Sequence, residues 1–263
     1  MRDTHKPRHI RDIAHLYISG SQGRSYPPCA TLLMAGEDRR CFSGFHAANL
    51  AAALSSKAMS VHLFERSGVL PNAGFFMSLP PRRYIRWDPN EDAAVAGVGG
   101  VSIDCSLKGF PTFKGDSHLP RVELIHLPPV FPDKPFQESL REARDFVKSV
   151  TIFLILRIDR TNLGEISECV EKGLGPAAVC VLHLDDTDLC CPDDDPSAFD
   201  LGSLTGWKSA LRDRVPVVIR APDAALSRAY LSVCDRILFK ISQLRRKAGA
   251  EYAIGTSTAT RPR

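Results

Sequence analysis

The chain has 263 residues, of which 44% are hydrophobic and 24% charged, so it is long enough for one large globular domain with a sizeable core. Its formal charge of +4 is small, and the basic residues are too dispersed to define a nucleic-acid surface. The eight cysteines lack C-x-x-C spacing and are read as reduced thiols of a cytoplasmic protein, while no apolar run is long enough to span a bilayer.

In chain order, the basic start from Met1 to His9 has no apolar core of a signal peptide behind it. Ile10, Ile13, Ala14, Tyr17 and Ile18 then follow the i, i+3, i+4, i+7, i+8 spacing of an amphipathic helix. Gly23 to Pro28 reads as a linker, so residues 1–28 are taken as an amphipathic helix and linker ahead of the main domain. Such a helix suits recognition in a partner's groove, or packing on its own domain.

From residue 31, short apolar runs alternate with helical patterns. Strands are expected at 31–35, 61–64, 122–127, 150–156, 178–184 and 215–219. Helices are expected at 45–57, 135–148, 163–173, 206–214 and 222–247. Runs rich in Val, Ile, Leu and Phe, without polar alternation, suit strands buried on both faces of a parallel sheet. The expectation is therefore an α/β domain over 29–248, a doubly wound, mostly parallel sheet flanked by helices, with a flexible tail at 249–263. The Pro-, Gly- and Arg-rich stretch 71–120 is long for a structureless loop and is expected to hold some helix or hairpin.

The first strand runs into Gly36-Glu37-Asp38-Arg39-Arg40-Cys41-Phe42-Ser43-Gly44 and then a helix. Strand, glycine-bearing loop and helix N-terminus together form the context in which backbone N–H groups cradle phosphate. Gly36, Arg39, Arg40, Ser43 and Gly44 are the candidate phosphate-loop residues. Laying G-x-x-x-x-G-K-[ST] on Gly36 keeps Ser43 but puts Cys41 at the second glycine and Phe42 at the lysine.

With the following Ala48-Asn49-Leu50-Ala51-Ala52-Ala53-Leu54, this segment resembles the deviant Walker A loop and first helix of the MinD/ParA family of P-loop ATPases. Val61-His62-Leu63-Phe64-Glu65-Arg66-Ser67-Gly68 is similar to that family's second strand, with Glu65 and Ser67 at its two acidic positions. Residues 122–129, ending Leu127-Pro128-Pro129, resemble its Walker B strand, with His126 in place of Asp. The resemblance implies a P-loop fold, with ATP and Mg²⁺ as the cofactors of active relatives. FlhG-type relatives use an N-terminal segment to engage a partner.

The departures fall on the chemistry. P-loop hydrolysis is positioning and charge neutralisation. The loop from Gly36 to Gly44 holds no lysine whether aligned on Gly36 or on Asn49-Leu50, the family's additional signature lysine falls at Glu37 or Asp38 with its charge reversed, and His126 is a poor ligand for Mg²⁺, which takes oxygen donors. The resulting expectation is a non-hydrolysing pseudo-ATPase without a cofactor or metal, a regulator or scaffold acting through a protein partner. The alternative is an ATP-binding switch in which Arg39 and Arg40 grip phosphate and nucleotide drives homodimerisation. A DNA-binding partition protein is a third, weaker option, and membrane attachment is not expected because the tail lacks bulky apolar residues. The Asp-rich stretch 183–195, with Cys190 and Cys191, reads as a solvated acidic loop, not a metal site. Cys41, at a helix N-terminus beside two arginines, is either a reactive thiol or a buried inert one.

Overall fold

The computed structural model describes residues 30–79, 101–105, 119–131, 133–147, 150–157, 163–175, 177–185, 198–203 and 212–257. The amphipathic helix expected at 10–18 and most of the helix expected at 206–214 lie outside the described residues. So does the acidic stretch beyond residue 185 as far as 195.

Apolar runs interrupted by helical segments give β1 (Ala30–Gly36), α1 (Ser43–Ser56), β2 (Ser60–Glu65), α2 (Ala73–Phe76), β3 (Val101–Asp104) and β4 (Arg121–His126). They continue as α3 (Asp133–Phe146), β5 (Thr151–Arg157), α4 (Leu163–Leu174), β6 (Ala178–Asp185), β7 (Ala198–Ser203), α5 (Val217–Arg220) and α6 (Ala225–Ser257). The strands form one seven-stranded sheet in the order β3-β2-β4-β1-β5-β6-β7. Every neighbouring pair is parallel, and β1 sits in register between β4 (Leu32 opposite Leu124) and β5 (Leu32 opposite Ile152).

Alternation along the strands divides the core. Leu32, Met34, Leu124, Ile152 and Leu154 face one side, where they meet α1, α2, α5 and α6. Leu33, Ala35, Ile125, Phe153 and Ile155 face the other, under α3 and α4. Successive strand side chains point to opposite faces, so an apolar run without polar breaks requires helices on both. On α6, Tyr230, Val233, Cys234, Ile237 and Ile241 repeat at helical spacing and are all buried. Helix α1 is buried nearly all round, its alanines allowing the sheet, α2 and α6 to approach closely.

Three departures from the sequence expectations concern this frame. Residues 217–220 form a short helix instead of a strand: Pro216 stands at its N-cap, and the Val218 N–H donates to Asn49 Oδ1 on α1 at 3.3 Å. Packing on α1 overrides the strand preference of a β-branched run. Strands β3 and β7 were not anticipated, and β3 and α2 account for part of the 71–120 stretch. Helix α6 continues to Ser257, past the tail boundary expected at 249. No helix among the described residues is long and apolar enough to cross a membrane.

Gly44 shows how tightly α1 is seated. A β-carbon there would stand 2.7 Å from the Pro71 carbonyl oxygen and 2.8 Å from Asn72 Cα. Both obstacles are backbone, so Gly44→Ala is expected to cost about 1–3 kcal/mol, the range for an overpacked core. Chemical denaturation measures it, and a loss under about 0.5 kcal/mol would mean that the 71–72 segment yields freely.

Candidate functional site

In an open parallel sheet, the crevice for ligands lies at the carboxyl ends of the strands, where successive crossovers leave for opposite faces. Here the crossover β1-α1-β2 passes β4 on one face, and β4-α3-β5 passes β1 on the other. The switch point thus falls between the ends of β1 and β4. The class of molecule defined so far is a parallel α/β protein with a polar site at its topological switch point.

The loop from Gly36 to Ser43 is folded onto itself. Residues Arg39–Cys41 make a 3-10 turn with Asp38 at its N-cap. Asp38 accepts from the Arg40 backbone N–H at 2.7 Å and from Arg40 Nε at 2.8 Å, and its Oδ2 stands 2.6 Å from Arg40 NH2. The anion held by this turn is the protein's own carboxylate. Arg39 and Arg40 are exposed, while Cys41 is buried and donates from Sγ to the Leu156 carbonyl at 3.3 Å. Burial pushes the Cys41 thiol up to about 11, outweighing the backbone hydrogen bonds from Asp38 and Glu37 that lower it, so of its two readings the inert one holds.

Gly36 serves the turn. A β-carbon on it would come within 2.9 Å of Cys41 Cβ and of the Asp38 carbonyl oxygen. Phe42 then adopts a left-handed conformation, φ 45° and ψ 43°, and α1 starts at Ser43. The base of the loop is stitched to its neighbours by Glu37 N–H to Leu156 O at 2.8 Å and Val130 N–H to Gly36 O at 3.0 Å. Glu37 also lies 3.6 Å from the buried Arg157 guanidinium at the end of β5. The five loop candidates therefore do not converge. Arg40 is turned to Asp38, Gly36 and Gly44 admit backbone and Cys41, and Ser43 points elsewhere.

Ser43 meets residues from two other strands. Its Oγ lies 2.8 Å from His126 Nε2, at the end of β4. His126 Nδ1 lies 2.9 and 2.8 Å from the two carboxylate oxygens of Glu65, at the end of β2. In either protonation state Nδ1 can donate to the Glu65 carboxylate, and in the neutral form with its hydrogen on Nδ1 the ring accepts from the Ser43 hydroxyl at Nε2, an assignment made from the network itself. Glu65 also accepts from the Ser67 N–H at 2.9 Å, the Ser67 hydroxyl at 2.5 Å and the Ala73 N–H at 2.8 Å. Burial alone would raise its pKa. The charge and hydrogen bond of His126, with the Ser67 and Ala73 donors, outweigh burial and hold Glu65 below the usual carboxylate range.

Two further buried polar groups flank this line. Arg66 donates to Asp104 Oδ2 at 2.9 Å, with both side chains almost wholly buried, and ties the end of β2 to β3. His46, one turn after Ser43 on α1, has Nδ1 2.5 Å from the Tyr230 hydroxyl of α6. In the sequence Glu65 and His126 are singled out only by the resemblance, at the acidic position of its second strand and at the Asp of its Walker B strand. Their meeting with Ser43 follows from β4 lying between β1 and β2, which no sequence spacing reveals.

Among the described residues there is no group of three or more His, Cys, Asp or Glu that could hold a metal ion. A scan against family models finds no match to the chain, and neither does a search of curated proteins.

Proposed function

We propose that this protein is a non-hydrolysing, MinD/ParA-like pseudo-ATPase that works as a regulator or scaffold through protein–protein contacts. One observation carries the reading: the Asp38 carboxylate occupies the loop N–H and the Arg40 guanidinium to which a phosphate would bind. A triphosphate arriving there meets a like charge in place of a lysine. The parallel sheet, with this loop at its switch point, is compatible with descent from a P-loop fold, and Asn49-Leu50-Ala51 on α1 keeps the sequence resemblance. At the Walker B position, His126 is engaged by Glu65 and Ser43. Loss of one preorganised donor costs about 3–4 kcal/mol in a transition state, so several such losses leave negligible hydrolysis.

Isothermal titration with ATP and Mg²⁺ tests this. The expected result is no binding at millimolar nucleotide by the wild type. Binding that disappears in Arg39→Ala/Arg40→Ala would overturn the proposal in favour of the arginine-based switch, because both arginines reach solvent.

A further inference from the structure

We propose that Ser43, His126 and Glu65 form a nucleophilic acyl-transfer site acting on carboxylic esters or thioesters. The site needs no nucleotide and so goes beyond the pseudo-ATPase reading.

Activation of a serine hydroxyl at neutral pH needs a base within hydrogen-bond reach and a third group to orient that base. Both contacts are present: Ser43 Oγ to His126 Nε2 at 2.8 Å, and His126 Nδ1 to the Glu65 carboxylate at 2.8 and 2.9 Å. Three separate elements supply the three groups, and the third is itself pinned by Ser67 and Ala73. Glu65 is thus a positioning residue, fixing the imidazole tautomer that leaves Nε2 free to take a proton. Ser43 is the most accessible of the three at 9% exposure against 1% for the others.

Ser43 is the first residue of α1, reached through the sharp turn at Phe42. The early N–H groups of a helix have no intrahelical acceptor and carry its positive end. The Gly44 N–H, on the residue after the nucleophile, is placed to stabilise an oxyanion.

In the first step, Ser43 Oγ bonds to the carbonyl carbon as its proton passes to His126 Nε2. The bond to the leaving alcohol or thiol breaks, and that group takes the proton from His126. Water then attacks the acyl-serine, giving a proton to His126. The carbon–Oγ bond breaks, Ser43 recovers the proton, and a carboxylic acid is released.

The test exposes the full-length chain to a biotinylated fluorophosphonate. This probe forms a phosphorus–Oγ bond, releases fluoride and leaves the hydroxyl proton on His126. Mass spectrometry is expected to place the adduct on Ser43, with none there in Ser43→Ala. His126→Asn and Glu65→Gln are expected to slow labelling by about 100-fold, and Glu65→Asp to recover part of it at unchanged melting behaviour. With p-nitrophenyl acetate, an acetyl group should appear on Ser43. A folded wild type without adduct at Ser43, or labelling that persists in folded His126→Asn, would overturn the site. ATP binding would overturn the pseudo-ATPase reading and leave this result standing.

Discussion

Glu65→Ala is expected to destabilise the protein by about 3–5 kcal/mol, the range for removing one member of a buried ion pair or network. The carboxylate is 1% exposed. It accepts from His126 Nδ1, the Ser67 N–H, the Ser67 hydroxyl and the Ala73 N–H. Alanine leaves all of these donors without that acceptor in a low-dielectric interior, and the loss exceeds the net worth of any one bond. The effect also spreads beyond the site. Ala73 opens α2, whose Phe76 packs against Phe45 of α1 with ring centroids 5.5 Å apart. Glu65→Gln keeps the volume and one acceptor and should lose less. Guanidinium denaturation at pH 7 measures both, and a loss below about 1 kcal/mol in Glu65→Ala would show that water enters the network freely.

Acid is expected to unfold this protein from about pH 6 downward, earlier than carboxylate protonation alone would bring about. His46 is 1% exposed, and burial, followed by repulsion from His126, lowers its pKa from 6.5 to about 3. The Tyr230 hydroxyl lies 2.5 Å from His46 Nδ1, a contact that a neutral imidazole can make as donor or acceptor. Burial pushes Tyr230 well above its ordinary value, so it stays a phenol. Between pH 6.5 and 3 the unfolded chain therefore takes up a proton that the folded chain refuses. Stability contributed by neutral His46 is complete above 6.5 and falls by about 1.4 kcal/mol per pH unit below it, or about 2 kcal/mol by pH 5.

His62 acts in the same direction, lowered to about 4 by burial and then by Arg121. Glu65 joins them at lower pH, since its depressed pKa gives stability that disappears as it protonates. Glu123, raised mainly by burial, works in the opposite sense. His46→Gln keeps a partner for Tyr230 and removes the titration. Its stability should change by about 2 kcal/mol less than the wild type's between pH 6.5 and 5. Equal slopes in the two proteins would rule out His46 as the cause.

The legible part of the fold rests on local repetition. Runs such as Leu32 to Ala35 and Ile152 to Leu156 identify doubly buried strands, because no half-exposed strand keeps apolar residues on both faces. Spacing on α3, with Phe136, Leu140 and Ala143, identifies the face laid on the sheet. Misreadings came where a neighbour decides the conformation. β3 is four residues long and exists by pairing with β2, from Val61 opposite Val101 to Phe64 opposite Asp104. Val217 and Val218 look like strand but are held as a helix turn by Pro216 and the Asn49 side chain.

For the candidate site, sequence supplied the loop and its residue types. The absence of lysine and the presence of Asp38 beside two arginines are properties of the residues alone. What Asp38 binds, and where Ser43 points, depended on how the loop closes onto Gly36 and Leu156.

The sequence by itself determined a parallel α/β architecture and a strand–loop–helix without lysine, because periodicity and residue type are local quantities. The tertiary structure alone decided that Ser43, Glu65 and His126 form one hydrogen-bonded line. That line depends on strand order, which places β4 between β1 and β2 through long-range packing that the chain records at no single position.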